Sequence, residues 1–153
     1  MLYNKDKCFS QGEYRLENPN KYIGKGLPIY RSSWERRWMY WADNNKNIIK
    51  WCSECIGIKY YYPIDQRIHT YFPDMYIEVL NNTRTIEKYI VEIKPKKELS
   101  LPKKPKNKNA KANKRYLIES AEYVKNTQKW EAAKKYCKER DLTFKILTED
   151  ELF

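Results

Sequence analysis

At 153 residues the chain has the length of one domain, enough to bury a core without disulfide or metal staples. Hydrophobic residues at 41% and aromatic residues at 15% exclude a disordered chain, and no apolar run approaches the roughly 18 residues of a membrane-spanning helix. Lysine and arginine outnumber aspartate and glutamate by 31 to 20, a formal charge of +11 that favours a polyanionic partner. No basic helix with a broad apolar face stands out, so the partner expected is nucleic acid rather than a membrane. The opening MLYNKDKCFSQGEY lacks the apolar stretch of a signal peptide, and synthesis in the cytoplasm is expected.

Residues 1–30 carry turn formers (Asn18, Pro19, Asn20, Gly24, Gly26, Pro28) and read as an irregular N-terminal arm. YRSSWERRWMYWADNN follows as a helix, capped by Ser32 or Ser33 and ended by Asn44 and Asn45. At 100° per residue, Trp34, Trp38, Met39, Trp41 and Ala42 share a broad apolar face, with Arg36 and Asp43 opposite. Glu35 falls inside the apolar arc, an odd place for a charge. NIIKW and ECIGIKYYY then read as extended segments. PIDQR makes a turn, and HTYFPDMYIEV reads as one strand in which Pro73 needs an edge or an irregularity. Asn81 and Asn82 supply a hairpin turn. In KYIVEIKP the alternation puts Tyr89, Val91 and Ile93 on one face and Ile90, Glu92 and Lys94 on the other.

Residues 96–115 hold nine Lys or Arg and one Glu among prolines and asparagines, and are expected to form a basic flexible loop. From Tyr116 to Arg140 the pattern is helical, with a possible break near Asn126 and Thr127. LTFKILT is a final strand, and TEDELF begins a short closing helix. The four cysteines are Cys8, Cys52, Cys55 and Cys137. The Cys52-x-x-Cys55 spacing invites a zinc reading, but there is no glycine between the two and no second close pair, so free thiols are expected. The order of elements predicts a single α/β (α+β) domain: a central mixed sheet of four or five strands flanked by helices, in the order α-β-β-β-α-β.

Three acids and a lysine fall where a sheet-centred core would not choose charge. Asp74 follows a proline within a predicted strand, Glu92 and Lys94 project from one face of the next, and Glu35 points into the packing face of the first helix. Buried and unpaired, such carboxylates would be costly or would protonate. A divalent cation removes that cost, since Mg²⁺ takes two or three carboxylates and keeps its waters. It would polarise a scissile phosphate and lower the pKa of a bound water, which a neighbouring lysine can orient. Either motif alone also has a bland reading: PD is a common dipeptide, and ExK in a strand is often a solvated face.

Pro73-Asp74 followed by Glu92-Ile93-Lys94 resembles the PD-(D/E)XK nuclease signature. The wider text, YRSSWERRWMYWADNNKNIIKW, SECIGIKYYYPIDQRIHTYFPDMYIE, VEIKPKKE and QKWEAAKKYCKERDLTFKILTEDEL, is similar to the TnsA-type transposon endonucleases and to the head-completion nucleases of T-even-like phages, over about residues 29–152. That resemblance implies a restriction-endonuclease-like core and a metal-dependent endodeoxyribonuclease. Asp74 and Glu92 would ligate Mg²⁺, with Mn²⁺ able to substitute, Lys94 would assist the water, and Glu35 would complete the acidic cluster. It further implies action on packaged or protruding DNA before tail attachment. Phage head or portal proteins and a second copy of the chain would be partners, and the location would be the host cytoplasm during assembly or the virion. Arg31, Arg36, Arg67, Lys96 and Lys97 flank the site in sequence as phosphate contacts, and Gln128 and Lys129 begin the helical stretch expected beside it. Glu54 and His69 take structural roles in this reading. Two alternatives stay open: a non-catalytic head protein that holds DNA ends, and a TnsA-like transposase subunit.

Overall fold

The computed structural model describes residues 11–107 and 109–152, and its centre is a four-stranded mixed sheet with helices on both faces. Strands β1 (Gly12–Glu13) and β2 (Ile29–Tyr30) form a small antiparallel pair ahead of helix α1 (Ser33–Asn44). Ser32 caps α1: its hydroxyl accepts the Glu35 N–H at 3.1 Å, while the Glu35 carboxylate accepts the Arg31 N–H at 2.8 Å, a reciprocal capping arrangement. Strand β3 (Ile48–Ser53) leads to the hairpin of β4 (Ile58–Tyr62) and β5 (Arg67–Tyr71), then to β6 (Met75–Leu80) and β7 (Ile86–Ile93). A 30-residue helix, α2 (Ala110–Glu139), crosses to β8 (Thr143–Leu147), and α3 (Glu149–Leu152) closes the described chain. The sheet order is β3-β6-β7-β8, antiparallel except for the β7–β8 pair. That parallel pair requires a long crossover, and α2 is it.

The alternation of β7 decides what lies on each face. Val91 and Ile93 pack with Trp38, Met39 and Ala42 of α1, together with Ile48, Trp51, Met75 and Ile77. Ile90 points the other way, into a second core with Ala133 and Cys137 of α2 and with Ile58, Tyr60 and Tyr71 of the hairpin. Glu92 and Lys94 therefore lie on the α2 side, as the period of two requires.

Several expectations need correction. The segment before α1 is not a loose arm from residue 11 onward. Tyr14 is buried in the first core, with Leu16 and Tyr22 packed against it. Asp43 is the reason. Far from facing solvent, it is fully buried and accepts hydrogen bonds from the Tyr14 hydroxyl (3.1 Å), the Glu17 N–H (2.7 Å) and the Asn18 N–H (3.2 Å). Lys21 adds to the clamp by donating to the carbonyls of Ala42, Asp43 and Asn45 at the end of α1. Trp41, placed on the apolar face by helical periodicity, is 39% exposed.

The strand expected across His69 to Val79 is two strands in two sheets, broken at Phe72, Pro73 and Asp74, where proline has no N–H to give a ladder. The basic loop ends sooner than residue 115, because Asn109 accepts the Ala112 N–H at 2.7 Å and starts α2 at Ala110. No break occurs near Asn126; the Thr127 hydroxyl bonds back to the Tyr123 carbonyl at 2.8 Å and the helix runs through. Cys52 and Cys55 are joined as a disulfide across a Cα–Cα distance of 6.1 Å, which corrects the expectation of free thiols at those two positions. Cys137 is free and buried as expected, and Cys8 lies outside the described residues. Among the described residues no helix is long and apolar enough to cross a membrane.

Asp43→Ala leaves a buried hydroxyl and two backbone N–H groups without their acceptor. A loss of about 3 kcal/mol is expected, lowering Tm by roughly 10 °C in a calorimetric scan.

Candidate active site

Asp74 sits at the break between the hairpin and β6. Extending the register Met75↔Val91 by one step places it opposite Glu92, and extending Ser53↔Met75 places Glu54 on its other side. The Glu54 N–H donates to the Asp74 carbonyl at 3.1 Å, and Oδ2 of Asp74 accepts the Ile93 N–H at 2.7 Å. Three strands thus hold one aspartate. Glu92 is buried at 5% exposure; its Oε2 accepts the Tyr71 hydroxyl at 2.5 Å, and its Oε1 lies 3.6 Å from Lys94 Nζ.

The electrostatics follow from crowding acids away from water. Burial pushes the Asp74 carboxyl well above the usual carboxylate range, the Glu92 charge pushes it further, and Glu35 adds to the rise. The Ile93 N–H and Lys94 oppose the shift. Glu92 is also raised, by burial, against the pull of the Tyr71 hydrogen bond, Lys94 and Lys129. Lys129 answers from α2: burial lowers its pKa, the charge of Glu92 raises it, and its ammonium stands 5.4 Å from the Tyr71 ring centre and 5.9 Å from that of Tyr60.

The donor set suits a hard divalent cation. Oxygen is the only ligand type the two acids offer, and Oδ1 of Asp74 accepts no hydrogen bond from a described residue. Among the described residues no group of three His, Cys, Asp or Glu is clustered tightly enough to hold a metal alone. A cation here would take Asp74 and Glu92 and complete its shell with water, as Mg²⁺ commonly does. Glu35 belongs to the helix on the opposite face and is engaged in capping α1; it reaches the site as a charge felt by Asp74.

The basic residues singled out in the sequence divide. Lys94 and Lys129 face the carboxylates, and Lys97 lines a cavity beside Lys94. Arg31 is ion-paired with Glu54, which stands in left-handed backbone geometry at φ 49°, and this pair ties the start of α1 to the strand end beside Asp74. Arg36 lies 5.5 Å from the Tyr30 ring centre, exposed on α1. Arg67 is exposed at the start of β5, and Lys96 is paired with Asp150 at 2.9 Å. Gln128 is half-buried one position from Lys129 and makes no described contact with the carboxylates. His69 is structural, 2.6 Å from Asp65 and stacked on Tyr60. Tyr71 carries no signal in the sequence, being one of 14 tyrosines, and reaches Glu92 only once the hairpin folds over α2.

Carboxylates desolvated beside lysines on a mixed sheet are a donor set that could serve metal-assisted hydrolysis, and the comparisons put the chain in the class of nucleases on an α+β core. The model of the TnsA-like endonuclease N-terminal domain matches residues 45–149, from just before β3 to α3, and the chain belongs to that family. It is also 37% identical over 142 residues to the head completion nuclease of Enterobacteria phage T4, with 92% of each chain covered. At that coverage the likeness reaches into the segment before residue 29.

Raised carboxyls carry a stability signature. Folded Asp74 and Glu92 hold protons more tightly than in the unfolded chain, so their favourable contribution is complete below the ordinary carboxylate pKa. It is lost as pH rises through the raised values. In chelator, Asp74→Asn should therefore melt above wild type at neutral pH, with the difference vanishing in acid; a constant difference across pH would remove this account.

Proposed function

We propose that this protein is a Mg²⁺-dependent endodeoxyribonuclease, with Mn²⁺ able to substitute, that cuts DNA during phage head completion. The observation that carries this reading is the pair of mutually repelling carboxylates, Asp74 and Glu92, with Lys94 Nζ 3.6 Å from Glu92. Asp74 and Glu92 would hold the cation, and Glu35 would add charge from α1. When bound, the cation supplies Lewis acidity at the scissile phosphate and a more acidic water.

The remaining work falls to the chain's own groups. Ile93 N–H fixes Asp74 Oδ2, and the Tyr71 hydroxyl fixes Glu92 Oε2, so both carboxylates are held in place without motion of the sheet. Lys94 orients the attacking water and carries positive charge to the phosphate as it becomes more negative. Lys129, desolvated on α2, is a second cation on the same side of the sheet. Water attacks in line, with no covalent intermediate. The formal charge of +11 steers DNA to the surface.

The phage setting follows the name of the T4 relative and its coverage of nearly the whole chain. In that setting the protein acts on packaged or protruding DNA in the host cytoplasm or on the virion, beside head or portal proteins, and two copies would cut both strands. A purely structural DNA-end holder fits the same charge, but it would gain nothing from desolvated carboxylates placed beside phosphates.

Purified protein with Mg²⁺ or Mn²⁺ should nick or linearise plasmid DNA. Asp74→Ala and Lys94→Ala should each slow cleavage on the order of 1,000-fold while retaining DNA binding. Supercoiled, linear and branched DNA all left intact by the metal-supplied wild type would reject the proposal.

A further inference from the structure

Most of the excess charge comes from one short stretch. Between Lys103 and Ile118 the chain carries seven lysines or arginines and no acid, so these residues supply +7 of the formal +11. Lys108 lies outside the described residues, and Arg115 is paired with Glu119 at 2.8 Å. Lys103, Lys104, Lys106, Lys111 and Lys114 remain, all exposed and none ion-paired with a described residue. Stability does not account for them. The start of a helix favours acids and disfavours cations, yet α2 has no acid in its first turn and places Lys111 and Lys114 in its first five residues. Like charges gathered so closely repel one another unless an anion lies against them.

Helical geometry sets the direction in which they act. Lys111 is eighteen residues before Lys129, five turns of about 3.6 residues, so both project from the same side of α2. Lys114 and Lys125 fall within about 60° of that line, at 100° per residue. Lys129 is the cation that answers Glu92, and Lys125 stands 5.6 Å from the Tyr62 ring centre. The carboxylate face therefore continues outward along α2 as a line of lysines. Glu122 is the one acid inside that arc, and it is exposed. The loop lysines join the same end. Pro102 lines the cavity beside Lys94 together with Arg115 and Ile118, so residues 103–109 run back beside the first turns of α2 to reach Ala110. From Lys129 to Lys111 the helix covers about 27 Å, the length of roughly eight base pairs.

We propose that Lys103, Lys104, Lys106, Lys111 and Lys114 bind the phosphate backbone of duplex DNA flanking the cut, about eight base pairs from the active centre along α2. The proposal rests on the nuclease reading and adds to it a surface that holds the flank. Phosphate contacts fix the position of a duplex without reading its bases, so this surface selects for a length of duplex beside the cut and not for sequence.

The test is fluorescence anisotropy in EDTA with a fluorescein-labelled duplex of about 24 base pairs, titrated over a series of KCl concentrations. Each lysine that neutralises a phosphate steepens the fall of log K with log salt by about 0.9. Replacing all five lysines by Gln should flatten that slope by about 4. Replacing the loop three alone should flatten it by about 3, and Lys111 with Lys114 alone by about 2. Gln is as good a helix former as Lys and all five positions are exposed, so the wild-type Tm should be retained. The control replaces five lysines exposed elsewhere, Lys25, Lys46, Lys50, Lys135 and Lys138, by Gln and should change the slope by less than about 1. An unchanged slope in the first variant overturns the proposal and makes the run a solvated face. Equal flattening by the control also overturns it, since net charge alone would then be acting. Because binding is read without metal, either result is independent of cleavage; plasmid nicking by the wild type with Mg²⁺, run in parallel, reports on the nuclease reading alone.

Discussion

Two acids side by side, drawn out of water, repel each other, and much of the surrounding structure answers that repulsion. Burial and the charge of Glu92 raise Asp74, and burial raises Glu92. Neither acid is left to float. Asp74 takes a backbone N–H from β7, Glu92 takes the Tyr71 hydroxyl, and Lys94 and Lys129 supply positive charge from two elements. Even so the direction of both shifts is upward, so the protein's own cations do not fully compensate. Under the proposed function an added divalent cation would relieve the repulsion that the fold tolerates.

The architecture can be read outward from that pair. Pro73 ends the hairpin and frees Asp74 from a ladder of its own, so its side chain can bond across to Ile93. The β4–β5 hairpin leaves the central sheet and packs on α2, which brings Tyr71 over Glu92. The parallel β7–β8 pair forces the α2 crossover, and that crossover carries Lys129 to the carboxylate face. On the opposite face α1 packs its apolar stripe, while Glu35 and Arg31 at its start are tied to each other and, through Glu54, to the strand end beside Asp74.

Much of this was legible in sequence because it rests on local periodicity. The alternation of β7 alone separates Val91 and Ile93 from Glu92 and Lys94, and the sheet confirms that division. The cap at Ser32 and the Asn81 turn are likewise local chemistry. What sequence missed depends on distant partners. Asp43 reads as an exposed helix position until Tyr14, Glu17 and Asn18 fold back onto it. Glu35 drew notice as a misplaced charge, yet its carboxylate serves the helix cap first and touches the site only through its field. Tyr71 gave no signal at all, being one of 14 tyrosines. Only tertiary placement gives it a role.

The central claim is that the repelling pair is a cation site. Calorimetric titration of Mn²⁺ into the protein in two buffers of different ionisation enthalpy tests it directly. The account predicts one or more binding events accompanied by proton release near neutral pH, because raised carboxyls give up protons to the metal, and loss of both binding and release in Glu92→Gln. Mn²⁺ binding of equal strength in wild type and Glu92→Gln, with no proton released by either, would contradict it.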